Sequence, residues 1–377
     1  MIKSMHVNKK IKTAIIDPVG IKAGMDLYDL NLANALRAEK TDAIIISNFD
    51  SKELFVYRTF NKECKSFFSK AKDILIGHLR ALYLIKKRRI KSVIIHSFSF
   101  EMKDFIVLIL NKLFLFKTIL IVHDVSGFAK TDSKLLRYLM LNFLSSKIIV
   151  HNAFSKNKLK QEVNVRVLKK VYIIKHGNFI DNLSKRYSKD QAIKRLHLKL
   201  KTKYILFFGQ IKKVKGLDIL IEAFSKVKST NIKLIIAGNP WKDTFDEYQR
   251  LIDKLDLKSK IITYIGYIDN YNRDLLFSSC ELTVLPYLEV YQSGVLLSAM
   301  SNKTPVIASD LEPFKEIIND QNGIMFKSKD TYDLAQKIDY AINNPQEMIN
   351  KSENAYKLIS EEYNWKVIAL EYYKILQ

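Results

Sequence analysis

The chain has 377 residues, of which 48% are hydrophobic and 27% charged, and this length and balance predict a globular protein of two domains. The formal net charge is +23, and residues 1–200 hold 39 Lys and Arg against 16 Asp and Glu, so the rest of the chain sums to zero. The two cysteines, Cys64 and Cys280, are too few for a disulfide framework or a zinc cluster, which favours a reducing, cytoplasmic compartment.

Short β-branched segments alternate with helical patterns along the whole chain, which is typical of parallel sheets covered by helices on both faces. The pattern predicts an α/β protein with two Rossmann-like, doubly wound domains. The first domain is expected at 1–182, a polar and basic linker at 183–203, and the second domain at 204–363, with 364–377 returning to the first. The predicted strands lie near 12–16, 43–47, 92–96, 118–123, 147–151, 171–175, 204–208, 233–237, 261–265, 282–285, 305–308 and 323–326.

The basic N-terminal half predicts attraction to an anionic surface, either a membrane or a nucleic acid. No N-terminal stretch has the pattern of a signal peptide. The most apolar segment, 105–122, is interrupted by Asn111, Lys112 and Lys117, so we expect a buried helix followed by a strand rather than a membrane span. The cluster 86–89, Lys-Lys-Arg-Arg, follows an apolar stretch, and two interpretations stay open: a helix lying on lipid, or a helix packed on the sheet with solvated charges.

A first candidate site follows the strand predicted at 204–208. The segment Gly209-Gln-Ile-Lys212-Lys-Val-Lys215-Gly216 leads into a helix. Backbone N–H groups at a helix start, together with lysines, suit an anion such as a diphosphate. A solvated lysine loop is the alternative for this segment taken alone.

A second segment repeats the order of strand, glycine turn and helix. Here the Ser293-Gly294 step precedes a predicted helix, whose N-terminus would attract the same anion. Two such sites in one domain favour anion binding.

Together these segments resemble the C-terminal donor domain of family 4 glycosyltransferases, which have the GT-B architecture of two Rossmann-like domains facing each other across a cleft. The resemblance covers nearly all of residues 200–377 and is weaker upstream. Its matching pieces are the 209–216 segment, Ile236-Ala-Gly238, Gly266-Tyr267, the 286–299 run, Pro305-Val-Ile-Ala-Ser309, Glu316, Gly323, Trp365, the 20–24 loop, Val122-His123-Asp124 and Ile174-Lys-His176-Gly177.

The resemblance implies roles for individual residues. His123 and Glu289 correspond to the residues that face the transferred sugar, and they are the catalytic candidates. Ser298 stands where the common family pattern has a glutamate that binds the ribose, so this sequence departs from the pattern there. The residues implied at the donor diphosphate are Gly24, Lys212, Lys215, Ser293 and Gly294, and those implied at the nucleotide are Gly209, Gly238, Gly266, Tyr267 and Ser298.

The resemblance implies transfer of a hexosyl group from a nucleotide-diphosphate sugar to a saccharide or lipid-linked saccharide, with retention of configuration and with neither a metal ion nor a cofactor. An anionic membrane surface is an expected partner, with the protein peripheral on the inner face of the plasma membrane. A GT-B nucleotide-sugar epimerase is one alternative, and a basic module that binds membrane or nucleic acid is another. Nucleic acid is not an expected partner, because the sequence shows no interleaved aromatic and basic motif. The donor sugar, the base and the acceptor stay open.

Overall fold

The computed structural model describes residues 10–21, 24–61, 67–126, 133–183, 185–241 and 244–377, and only the backbone for 67–71. Two compact units divide the chain, one formed by residues 1–177 with 364–377 and the other by 178–363. Each unit contains one sheet in which every pair of neighbouring strands is parallel.

The sheet of the first unit has seven strands in the order β3-β2-β1-β4-β5-β6-β7. Its central strands are almost continuously apolar, because helices cover both faces of a parallel sheet. In β1, for example, Ala14, Ile15 and Ile16 are fully buried. The strands are β1 (Ile11–Asp17), β2 (Thr41–Ser47), β3 (Val56–Arg58), β4 (Ser92–Ser97), β5 (Lys117–Val122), β6 (Lys147–Val150) and β7 (Val171–Ile173).

The helices of this unit connect successive strands, and the last helix of the chain packs against the first. A π-helical turn, Met140–Leu144, directly follows α4. The helices are α1 (Met25–Ala38), α2 (Phe67–Lys87), α3 (Met102–Leu113), α4 (Lys134–Leu139), α5 (Ala153–Leu159), α6 (Val165–Leu168) and, at the end of the chain, α15 (Trp365–Leu376).

The sheet of the second unit has six strands in the order β10-β9-β8-β11-β12-β13. Its strands are β8 (Lys203–Phe208), β9 (Ile232–Gly238), β10 (Ile261–Ile265), β11 (Leu282–Leu285), β12 (Val306–Ser309) and β13 (Ile324–Phe326). Its helices are α7 (Lys189–Arg195), α8 (Leu217–Phe224), α9 (Asp246–Lys254), α10 (Asn270–Ser279), α11 (Gly294–Ser301), α12 (Glu312–Lys315), α13 (Thr331–Asn343) and α14 (Pro345–Glu362).

The predicted fold class is confirmed, and all twelve predicted strands are present. Strand β3 was missed, because three residues, Val-Tyr-Arg, give no apolar run to detect. The segment 183–203 is not a plain linker: it contains α7, which begins with a capping box between Ser188 and Gln191 and buries Ala192 and Ile193.

The apolar segment 105–122 forms most of α3 and the whole of β5, as expected. Helix α3 is half-buried rather than fully buried, since Met102, Ile106 and Leu113 are exposed. Across the described ranges, no helix combines the length and the apolar character that crossing a bilayer requires.

Candidate functional site

In the second unit, two glycines bring the ends of β8 and β9 together. Gly209 and Gly238 have φ angles of 110° and 151°, in the region that favours glycine. A Cβ atom on Gly238 would lie 1.8 Å from the carbonyl oxygen of Gly209. The Gly209 N–H donates to the Ala237 carbonyl at 2.9 Å. The chain therefore leaves the sheet at a point that has no room for a side chain.

The lysine loop after β8, residues 209–216, packs against the turn after β11, residues 286–293. It forms a 3-10 turn, Lys213–Lys215, and ends at Gly216, whose φ is 63°. A Cβ atom on Gly216 would lie 1.9 Å from the Pro286 carbonyl oxygen, and the Leu288 N–H donates to the Val214 carbonyl at 2.9 Å. The two predicted anion-binding segments are thus in direct contact.

The three lysines of this loop have different partners. The Lys215 ammonium lies 3.6 Å from the centre of the Tyr287 ring, and the Lys212 ammonium lies 4.4 Å from that of Trp241. Lys213 is instead exposed and pairs with Glu247 at 3.7 Å. Among the described residues no carboxylate pairs with Lys215. An aromatic face orients its charge without neutralising it, which leaves the charge available to an anionic ligand.

Helix α11 begins beside this loop. The Ser293 hydroxyl accepts a hydrogen bond from the Leu296 N–H at 3.2 Å and so caps the helix. A Cβ atom on Gly209 would lie 3.0 Å from Cγ2 of Val295, which places the first turn of α11 next to the end of β8. The positive end of a helix dipole and Lys215 therefore belong to the same group of loops.

Two buried polar atoms in the β11 turn have no hydrogen-bond partner among the described residues, namely the Tyr287 hydroxyl and Nε2 of Gln292. An unpaired buried donor usually marks a place where a water molecule or a ligand completes the structure. The sequence analysis assigned no role to Tyr287, Gln292 or Trp241, and it took the two aromatic residues as part of the core by default. Their only signal was their position beside the candidate motifs.

The other predicted residues of this unit lie near the same edge. Glu289 is exposed in the β11 turn. Ser298 is buried one turn into α11, where its hydroxyl donates to the Gly294 carbonyl at 2.8 Å, so its hydroxyl oxygen is left to accept. Gly266 follows β10, its N–H donates to the Gly238 carbonyl at 3.0 Å, and Tyr267 beside it is 74% exposed.

In the first unit, Gly24 occupies the N-cap position of α1 with φ 77°, and a Cβ atom there would meet nothing within 4 Å. His123 directly follows β5 and is buried. Its ring stacks on Phe98, with the centroids 4.4 Å apart and the planes 8° from parallel.

Three other buried histidine side chains form one cluster with His123. The four lie at or just after the carboxyl ends of four neighbouring strands, and the Tyr28 ring of α1 contacts all of them, with centroid distances from 4.8 to 6.0 Å. The sequence analysis did not identify this cluster. The signal was present, because parallel strands place their carboxyl ends along one edge. The cluster consists of His96, His123, His151 and His176.

Burial keeps these rings neutral. Loss of solvation lowers the pKa of His96 and His151 to about 4 and that of His176 to about 3, and it lowers the pKa of His123 well below its ordinary value. Burial has the opposite effect on the neighbouring acids: it raises the pKa of Asp17 to about 7 and that of Asp29 well above its usual range. Within the described ranges, no three His, Cys, Asp or Glu side chains are arranged to hold a metal ion.

The histidines predict a loss of stability in acid. Unfolded histidines bind protons below their ordinary pKa of 6.5, whereas the folded rings resist protonation down to about 4. Stability therefore falls as the pH drops from 6.5 toward 4. Asp17 and Asp29 act in the opposite direction, but five histidines, including His78, have lowered pKa values.

We expect urea unfolding to show a loss on the order of 1–3 kcal/mol between about pH 6.5 and about pH 5. His151→Gln should reduce this pH dependence, whereas His197→Gln, at an exposed position, should leave it unchanged. A stability that is constant or rises over this range would contradict the interpretation.

Comparisons with known proteins agree with this architecture. Residues 188–358 match the family model described as glycosyl transferases group 1. An uncharacterized glycosyltransferase of Methanocaldococcus jannaschii is 32% identical over 174 residues, which cover 45% of this chain and 43% of that protein. A GDP-mannose:glycolipid 4-beta-D-mannosyltransferase of Xanthomonas campestris is 31% identical over 105 residues, which cover 28% of this chain and 29% of that protein. The chain thus spans less than half the length of these relatives.

Solved structures match over nearly the whole chain. Sucrose-phosphate synthase from Thermosynechococcus elongatus superposes with a TM-score of 0.80 at 17% identity, covering 97% of this chain and 98% of that one. HepE of Anabaena, in complex with UDP and glucose, superposes with a TM-score of 0.79 at 16% identity, covering 97% and 99%. The GT-B fold is therefore confirmed, and residues 188–358 of this chain match the family described as glycosyl transferases group 1.

Proposed function

We propose that the protein transfers a hexosyl group from a nucleotide-diphosphate sugar to a saccharide or lipid-linked saccharide, with retention of configuration and without a metal ion. The observation that carries the proposal is the contact between the β8 loop and the β11 turn. This contact joins the loop that carries Lys215, which has no carboxylate partner in the described residues, to the turn that leads into α11.

Charge development explains why such a site favours transfer. As the bond between the sugar C1 and the diphosphate oxygen breaks, negative charge grows on the diphosphate. Preorganised positive groups aimed at that charge lower the barrier most. Lys215, Lys212 and the N–H groups at Gly294 supply them, and Gly24 belongs to the loop assigned to the diphosphate in the first unit.

At the sugar, Glu289 and His123 are the residues proposed to contact the transferred group. With retention, the acceptor oxygen forms its bond to C1 on the face that the diphosphate leaves. A leaving phosphate oxygen then takes the proton of the acceptor hydroxyl, so no separate base is required. The Gly238 and Gly266 turns, with Tyr267 and Ser298, are assigned to the nucleotide.

The donor is the first property to determine. One relative is named for GDP-mannose and one structural neighbour was solved with UDP, so both groups of nucleotide sugars belong in a binding screen. A donor at 100 times its dissociation constant stabilises the protein by about 2.7 kcal/mol, which a thermal unfolding assay detects. Transfer to an acceptor supports the proposal, whereas release of an epimerised nucleotide sugar would replace it with the epimerase alternative.

Lys215→Ala should lower kcat by about 100-fold or more, because it removes one preorganised positive charge from the diphosphate. Lys213→Ala is the matched control, since it removes an exposed lysine of the same turn whose partner is Glu247. Urea unfolding of both variants should resemble that of the unaltered protein. If the two variants have equal activity, the diphosphate site lies elsewhere.

Activity should persist in excess EDTA, because lysines and a helix N-terminus take the role that a divalent cation has in metal-dependent transferases. The measurement is the initial rate before and after dialysis against the chelator. Complete loss of activity that magnesium or manganese restores would show that the reaction needs a metal.

The amino edge of the first sheet supports the proposal of a lipid-linked acceptor at a membrane surface. A lysine stands at or just before the start of six of its seven strands, from β2 at one end of the row to β7 at the other. These lysines are exposed, apart from a partly buried Lys147. They are Lys10, Lys40, Lys91, Lys117, Lys147 and Lys170.

Apolar side chains protrude at the same edge. Leu113 and Leu115, at the end of α3, are 71% and 88% exposed. The neighbouring Phe114 ring lies 6.0 Å from the ammonium of Lys86, which joins this apolar tip to the basic cluster 86–89 at the end of α2. Protruding leucines among basic residues suit the boundary between headgroups and acyl chains. The proposed partner is therefore an anionic membrane, on the inner face of the plasma membrane.

Replacement of Lys86, Lys87, Arg88 and Arg89 by glutamine should weaken sedimentation with acidic phospholipid vesicles by about tenfold or more. The matched control replaces four exposed lysines of the second unit, Lys199, Lys201, Lys254 and Lys260, by glutamine and should bind normally. Leu113→Ser with Leu115→Ser should also weaken binding, but with less dependence on salt.

Binding of the unaltered protein should require acidic lipid and decrease in high salt. Equal binding to neutral vesicles, or equal loss in both glutamine variants, would remove this surface from the proposal and favour a soluble saccharide acceptor.

A further inference from the structure

Backbone carbonyls fix the proton position in two of the four clustered histidines. His151 Nδ1 lies 2.8 Å from the Ile174 carbonyl oxygen, and His176 Nδ1 lies 2.6 Å from that of Gly177. A carbonyl oxygen can only accept a hydrogen bond, so each of these rings carries its proton on Nδ1.

The other two histidines form a chain that ends on a carboxyl group. Oδ1 of Asp29 lies 2.9 Å from Nε2 of His96, and Nδ1 of His96 lies 2.8 Å from Nε2 of His123. A neutral imidazole has one donor and one acceptor nitrogen. The group that Asp29 presents to His96 therefore decides which nitrogen of His123 carries the proton.

A second acid keeps Oδ1 of Asp29 in the accepting role. The Asp17 carboxyl group is a neighbour of the Asp29 carboxyl group, and Asp17 itself accepts from the Val19 and Gly20 N–H groups at 2.9 and 3.0 Å. Each of these two buried carboxyl groups raises the cost of a second negative charge, so the pair retains a proton near neutral pH. Oδ2 of Asp29 has no hydrogen-bond partner among the described residues, so a proton retained on Oδ2 leaves Oδ1 to accept from His96.

We propose that Asp29 and His96 are positioning residues that hold His123 with its proton on Nε2, so that Nδ1 of His123 accepts a hydrogen bond from a hydroxyl group of the transferred sugar. The inference rests on the proposed function. Among the described residues, Nδ1 of His123 has no partner, and the Phe98 ring stacked on His123 fixes the plane in which Nδ1 points. This hydrogen-bond chain predicts that the protein uses a donor sugar with a hydroxyl group at this position in preference to its deoxy analogue.

The groups around the hydrogen-bond chain from Asp29 to His123 are predominantly neutral. The Tyr28 ring contacts both histidines edge-on, and its hydroxyl pairs with that of Tyr372 at 2.9 Å. The titratable groups that face the chain are Asp17 of β1, Asp26 and Tyr28 of α1, His151 after β6, His176 after β7 and Tyr372 of α15.

The test compares two substitutions of His96 by NMR of the protein with ¹⁵N-labelled histidine. His96→Gln preserves the chain, because its carbonyl oxygen can accept from His123 while its amide donates to Asp29. His96→Leu breaks it. His151→Gln is the control within the cluster, since His151 has no hydrogen bond to the chain.

In the unaltered protein and in the His96→Gln and His151→Gln variants, the spectra should show His123 with a protonated Nε2 and an unprotonated Nδ1. In His96→Leu the two tautomers should mix, and kcat should fall about tenfold, as expected for the loss of one oriented hydrogen bond. His96→Gln should recover most of that loss.

A protonated Nδ1 on His123 in the unaltered protein would overturn the proposal, and so would a His96→Leu variant with an unchanged tautomer and unchanged kcat. The NMR measurement requires no turnover, so its result is independent of whether the protein proves to be a transferase. If His96→Leu does not fold, the spectra of the unaltered protein and of His96→Gln still decide between the two tautomers.

Discussion

Parallel strands end along a common edge, and this constraint determines where the candidate site residues of both units lie. Every neighbouring pair of strands in the two sheets is parallel, so the residue that follows each strand meets the residues that follow its neighbours. In the first unit this edge gathers four histidines from far-separated positions in the sequence. In the second it gathers glycine turns, a lysine loop and a helix N-terminus. A ligand that binds a doubly wound sheet is expected at this edge.

The candidate site residues of the two units differ in charge. In the second, Lys215 keeps its charge, because a Tyr287 ring orients it and no described carboxylate pairs with it. In the first, burial keeps the histidines neutral and raises the pKa of the Asp17 and Asp29 carboxyl groups. A cation without a carboxylate partner suits an anionic ligand such as a diphosphate. A neutral ring with a defined donor and a defined acceptor suits a sugar hydroxyl group, which is uncharged and forms directional hydrogen bonds.

Sequence patterns predicted the fold class and twelve of the thirteen strands, because parallel strands are apolar along their whole length and stand out from amphipathic helices. The motif around Gly209 and Lys215 was found from its place between a strand and a helix, and a solvated lysine loop was the alternative for this segment taken alone. Trp241 and Tyr287 were not identified, because an aromatic residue that supports a cation looks like any core residue in a sequence. The partnership of Asp29 with His96 depends on how α1 lies over the sheet, which no local pattern encodes.

Stability alone does not account for the histidine cluster. Nε2 of His151 and Oδ2 of Asp29 are buried without a hydrogen-bond partner among the described residues. Each such atom costs roughly 1–3 kcal/mol compared with a paired one, and apolar side chains of similar size would avoid that cost. At the opposite edge of the same sheet the lysines are nearly all exposed, and the unpaired buried polar atoms of the described residues there are two small threonine hydroxyls, at Thr41 and Thr118. Polar groups held at a cost along the carboxyl edge are therefore better explained by the hydrogen bonds that they can offer to a ligand.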